Sequence, residues 1–185
     1  MADEGKTQSL RALLRQDTRT QHDALDASVA DVSLSDPAAY AAFLRNQLAA
    51  RLPIEQFVAR HIGDENAPPA TAPLLIDDLQ AIGGPFSLPS GEFHLPEKSD
   101  PIGLAWALAG SHLGNRAMRA QIGETRLPTA FLDDSAMIAY WKHLRPRLEK
   151  PTTPAQGAAA VQAARAVFTH FAEVFAREPR GRIAA

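Results

Sequence analysis

Residues 103–118, GLAWALAGSHLGNRAM, read as helix yet carry Gly103, Gly110 and Gly114. Ala107, Gly110 and Gly114 follow Gly103 at offsets of four, seven and eleven, so all four share one helical stripe. Each interior glycine costs roughly 1 kcal/mol against alanine. A helix with three glycines on one face lets something flat or bulky approach its backbone closely. Two neighbours meet that description, a second helix or a planar ligand.

The remaining periodicity is also helical. Alanine, leucine and arginine dominate, and β-branched residues are sparse and rarely alternate. Leu10, Leu13, Leu14, Thr18, His22, Leu25 and Val29 trace one face across residues 7–32, with a bend expected near Asp17. Ser35 or Asp36 before Pro37 supplies an N-cap and first turn. That helix is expected to reach about His61, bent or broken at Pro53. A loop over 63–72 leads to a short helix ending near Ile82, and 83–99 is turn-rich with no helix. Ser99 or Asp100 with Pro101 opens the glycine-bearing helix, which ends near Gly123. Asp133 or Asp134 caps the next, to about Leu148 with Pro146 weakening its last turn. Thr152 or Thr153 with Pro154 opens the last, to about Arg177, and the tail after Pro179 is expected to fray. These elements predict one all-α domain, a helical bundle with its core over about 8–178.

Length and composition narrow the partners. A chain of 185 residues can bury a sizeable core as one domain. A net charge of -2 gives no reason to expect nucleic acid or an acidic membrane surface. No cysteine is present, which removes disulfides, thiolate metal sites and cysteine nucleophiles, and fits a reducing cytoplasm. No apolar run approaches the roughly 20 residues that span a bilayer, and the start MADEGKTQSL has no secretory core.

Of the six histidines, His22 is the best placed for chemistry. It lies mid-helix on the leucine face, with Thr18 four residues before and Asp26 four after. Positions four apart are neighbours on a helix, so Asp26 can accept a hydrogen bond from one ring nitrogen and leave the other for a metal. The bland alternative is a boundary histidine that simply pairs with Asp26. Arg11, Arg15 and Arg19 recur every fourth residue, a solvated stripe unless His22 binds a ligand, when Arg15 could meet an anionic group at its edge. Gly110-Ser111-His112-Leu113-Gly114-Asn115 sets small and polar groups around the closest-approach stripe.

LRALLRQDTRTQHDALD, residues 10–26, resembles the N-terminal pattern of the heme oxygenase family, and GLAWALAGSHLG, residues 103–114, resembles that family's distal helix. Thr18, His22 and Asp26 match the frame in which a threonine precedes the proximal histidine by four and an acid follows by four. Several positions depart from the pattern. Asn115 stands where the family usually has a second glycine, Trp106 where bacterial members commonly have tyrosine, and Asp26 is one methylene shorter than the commoner glutamate. Ser111 replaces the acid that organises distal water in animal members.

The resemblance implies heme b held between the two helices, with His22 as the iron ligand. It implies that Gly110 and Gly114 admit the heme face, that Ser111 and Asn115 order distal water or, for Asn115, crowd the heme, and that Trp106 edges the site. It further implies that Arg15, Lys142 and Arg145 meet the heme carboxylates, although Lys142 and Arg145 are equally readable as a solvent-facing surface. The activity implied is cleavage of heme to biliverdin, carbon monoxide and ferrous iron, using O2 and electrons from a reductase or ferredoxin. A biliverdin-binding photoreceptor is an implied downstream partner. Two alternatives share the sequence features, a heme-binding sensor or carrier without efficient turnover, and a heme-free module whose glycine stripe packs helices. A carboxylate-bridged di-iron bundle does not, because its paired Glu-x-x-His motifs are missing.

Overall fold

In a computed structural model, residues 8–29, 33–63, 66–83 and 86–177 are described. Among them the regular elements are helices: α1 (Leu10–Asp17), α2 (Arg19–Val29), α3 (Pro37–His61), α4 (Ala72–Ile82), α5 (Pro101–Ile122), α6 (Ala136–Leu148) and α7 (Pro154–Arg177). The all-α expectation holds, and no helix here is long and apolar enough to cross a membrane. The tail after Pro179 lies outside the described residues.

Local chemistry accounts for the boundaries. Ser9 caps α1 through Ala12 N–H, Asp36 caps α3 through Ala39 N–H, and Asp100 caps α5 through Ile102 N–H. The bend expected near Asp17 is a break at Thr18, whose N–H and hydroxyl both donate to the Leu14 carbonyl while its own carbonyl accepts from His22 N–H. Helix α3 runs through the buried Pro53, so the chain does not break there. One intrahelical bond is lost to proline, and burial of Ala50, Ile54 and Val58 on either side holds the segment. Asp134, rather than a residue directly flanking the helix, caps α6, its carboxylate accepting from Ala136 and Met137 N–H. Gly123 ends α5 at φ 66°, a conformation that favours glycine.

Helix α5 is central, packed on α7 and α6, while α3 packs on α4 and α7, and α1 and α2 both lean on α7. Two apolar clusters result. One joins Leu14, Ile54, Leu104, Leu108, Met137, Leu148, Val167 and Phe171, and the other joins Tyr40, Leu44, Leu48, Leu75, Phe131 and Leu132. Helix α3 contributes to both, and a polar layer centred on Arg51 crosses it between them.

Candidate functional site

The glycine stripe of α5 divides into two parts. A Cβ at Gly103 would overlap the carbonyl oxygen of Ala160 and lie 2.7 Å from its carbonyl carbon, so this glycine serves contact with α7. At Gly110 and Gly114 a Cβ would meet nothing within 4 Å. The half-buried Gly110 and exposed Gly114 therefore present bare backbone to an open face. The Gly103 end thus packs a second helix, one of the two neighbours the sequence admits, while a Cβ at the Gly110–Gly114 end would touch no protein atom.

His22 is linked to the same helix through a short aromatic chain. Its ring meets Phe168 of α7 edge-on with centroids 6.0 Å apart, and Phe168 meets Trp106 of α5 in the same manner at 6.1 Å. Trp106 is one helical turn before Gly110. His22 Nδ1 lies 3.1 Å from Asp26 Oδ2, and the side chain is 47% exposed. Its Nε2 has no hydrogen-bond partner among the described residues, so that nitrogen is open to a ligand. Helix α2 has no fully buried residue.

The other expected site residues divide. Thr18 does not line the opening: it is 0% exposed and its hydroxyl is committed to Leu14, so it sets the α1–α2 junction that aims His22. Asn115 does not line the opening either, contrary to the expectation from its place in the motif. It is 3% exposed and turned to the interior, its amide donating to His112 Nδ1 at 3.0 Å and to the Phe131 carbonyl at 3.4 Å, so it neither reaches nor crowds the open face. The reason is its position about a third of a turn around α5 from the glycines, beside the buried Phe131 segment. Ser111 donates its single hydroxyl proton to the Leu108 carbonyl (2.8 Å) and accepts from Arg51 Nη2 (3.0 Å), so towards any water it has only a lone pair.

The cations are dispersed. Arg15 is exposed on α1 with no hydrogen bond among the described residues. Arg145 pairs with Glu149 at 3.6 Å, where Arg11 also binds at 2.8 Å. Lys142 lines a separate cleft between α5 and α6 with Arg116, Arg119 and Asp133. The structure does not gather Lys142 and Arg145 with the glycine face.

Behind α5 lies a network that the motifs did not single out. Arg51 is 1% exposed, with its guanidinium over Phe131 (5.2 Å) and Phe171 (5.7 Å). It donates to Gln47 (3.1 Å), Thr71 (3.5 Å) and Ser111 (3.0 Å). Burial lowers its pKa to about 10 against the opposing pull of Glu55 and Asp134. His112 donates from Nε2 to the Asp134 carbonyl and accepts at Nδ1 from Asn115, and burial holds its pKa below the usual imidazole value. The signal for Arg51 was its place in the apolar stripe Leu44, Leu48, Arg51, Val58. For Phe168 it was its place beside Val161, Ala164 and Phe171 on α7.

This architecture is that of a heme oxygenase fold. The chain superposes on the crystal structures of the NO- and CO-bound heme oxygenase from Neisseria meningitidis with a TM-score of 0.68 over 90% of each chain, at 21% sequence identity. No protein-family model matches the sequence, and no curated protein matches it.

Proposed function

We propose that this chain binds heme b between α2 and α5 and cleaves it to biliverdin, carbon monoxide and ferrous iron. The observation that carries the reading is the divided stripe: Gly103 is pressed against α7, while Gly110 and Gly114 bare their backbone on the helix that reaches His22 through Trp106 and Phe168. The residues present suit the group. A planar apolar ring fits a helix face without side chains, bounded by the edges of Trp106 and Phe168, and a neutral imidazole is an ordinary heme ligand. When bound, heme supplies both the iron that activates O2 and the ring that is oxidised.

The chain's own residues then have limited tasks. Asp26 holds Nδ1–H of His22, which fixes the tautomer and keeps Nε2 available. Phe168 limits rotation of the His22 ring. Ser111 offers an acceptor to water at the edge of the glycine face, with its proton kept by Leu108. Arg15 is free to pair with a heme carboxylate, whereas Arg145 does so only on leaving Glu149, and Lys142 serves only a carboxylate that extends to its cleft. Electrons come from a reductase or ferredoxin, and a biliverdin-binding photoreceptor is a fitting consumer of the product. One domain working in the cytoplasm completes this reading.

The inward turn of Asn115 removes the steric argument for binding without turnover. The test is a hemin titration followed by reductant under air. The expected result is a one-to-one Soret complex that decays as a broad red biliverdin band rises and carbon monoxide is released. His22→Ala should lose the ferric Soret signature. An unchanged spectrum in that variant would make another residue the ligand, and a wild-type complex that autoxidises without biliverdin would refute the oxygenase.

A further inference from the structure

Arg51 is the one buried cation among the described residues, and it has no carboxylate within salt-bridge distance there. Of a guanidinium's five N–H bonds, three have acceptors, Gln47 Oε1, Thr71 Oγ1 and Ser111 Oγ, and two have none among the described residues. All three acceptors are neutral. The nearest carboxylate relay is indirect, through Thr71, whose hydroxyl donates to Glu55 at 2.8 Å while Glu55 also accepts from Thr71 and Ala72 N–H. Glu55 is thereby occupied with the start of α4. The other groups that bear on Arg51 are Asp134, which acts on it at longer range, and His112, which is neutral in its buried site.

A buried charge without a direct counterion is costly, and removing water around it strengthens its field. Here the field has a definite direction. Arg51 is bonded to Ser111, the residue directly after Gly110, so the charge sits one hydroxyl behind the open face of α5. Its rigid fork is held by three hydrogen bonds and by contact with the Phe131 and Phe171 rings, so it does not swing away to solvent. This is a preorganised positive group aimed at whatever occupies that face.

We propose that Arg51 is a positioning residue that makes this face favour an anion over a neutral molecule at the heme iron, with Ser111 holding the guanidinium in place. The inference rests on the heme reading given above. A unit charge acting over about 10 Å at an effective dielectric near 20 is worth about one pKa unit, or about tenfold in anion affinity.

The test uses the ferric hemin complex and compares fluoride and azide with neutral imidazole by optical titration. Arg51→Met should bind imidazole within about twofold of wild type but fluoride and azide about tenfold more weakly, while Arg51→Lys restores most of the anion affinity. A structural role alone would weaken all three ligands together, and that result, or no change in the anion-to-imidazole ratio, overturns the proposal. Should Arg51→Met fail to fold, Glu55→Gln tests the same field from the other side. Removing that carboxylate should raise the anion-to-imidazole ratio severalfold, and an unchanged ratio refutes it. A wild-type chain that forms no Soret complex overturns the heme reading and this inference together, whereas an intact complex with an unaltered ratio overturns this inference alone.

Discussion

Gly103→Ala and Gly114→Ala each add one methyl group to the same helix, and the structure gives them opposite signs. At Gly114 the new Cβ meets nothing within 4 Å, so the variant gains helix propensity of roughly 0.8–1 kcal/mol without a clash. For a chain of this size that corresponds to a melting temperature about 2–4 °C higher in the heme-free protein. At Gly103 the Cβ overlaps the Ala160 carbonyl oxygen and lies 2.7 and 3.1 Å from its carbonyl carbon and Cα. These are backbone atoms, so α5 and α7 must part, and the contact disturbed includes the buried Leu104, Ala107, Ala160 and Ala164. Overpacking of this kind costs about 1–3 kcal/mol or more, against which the propensity gain is about 1. The expected outcome is a melting temperature lower by several degrees. Circular dichroism melts of the two heme-free variants beside wild type decide the matter. A destabilised Gly114→Ala would mean that the stripe is covered by protein at that height, and a stabilised Gly103→Ala would mean that α5 and α7 do not meet there. Gly114→Leu, still helical, should then fail to take up hemin.

Asp78→Ala leaves the Ala130 and Phe131 N–H groups without the carboxylate that now accepts both at 3.0 Å, and should lower stability by roughly 2–4 kcal/mol in a urea titration. Acidification should also weaken the fold. Burial depresses His112 and His170 below the unfolded imidazole value of about 6.5, so the unfolded chain binds more protons and their contribution, full above that pH, is lost as pH falls through it. Melting temperatures measured from pH 7.5 down to about 5.5 should therefore decline, and decline less in His112→Gln, because protonation of His112 Nδ1 would turn a donor towards the Asn115 amide.

The fold was legible because its signals are local. Proline after a capping residue marks the start of α3, α5 and α7, and Gly123 marks the end of α5. The seven-residue face on the N-terminal segment located Thr18 and His22 together. What remained hidden depends on which way a side chain turns once helices meet. Asn115 follows Gly114 in sequence, yet one residue around a helix is about 100°, enough to carry it from the open face to the Phe131 segment. Lys142 and Arg145 look paired because they are three apart, but Glu149 takes Arg145 while Lys142 turns to the α5–α6 cleft. Arg51 reads as another surface arginine unless its apolar neighbours three residues before and seven after are weighed against its charge.

The three flanks of α5 explain why one helix tolerates so unfavourable a composition. Its first glycine allows α7 to approach, and the apolar contact made there helps offset the propensity lost along the stripe. Its interior flank carries Ser111, His112 and Asn115, all hydrogen-bonded to partners fixed by α3 and the segment before α6. That bracing holds the backbone on the flank beside the open glycines, where no side chain does so. A face stripped to its backbone keeps its shape only if the rest of the helix is held. The buried polar layer thus gives the candidate ligand face both its rigidity and, through Arg51, its charge.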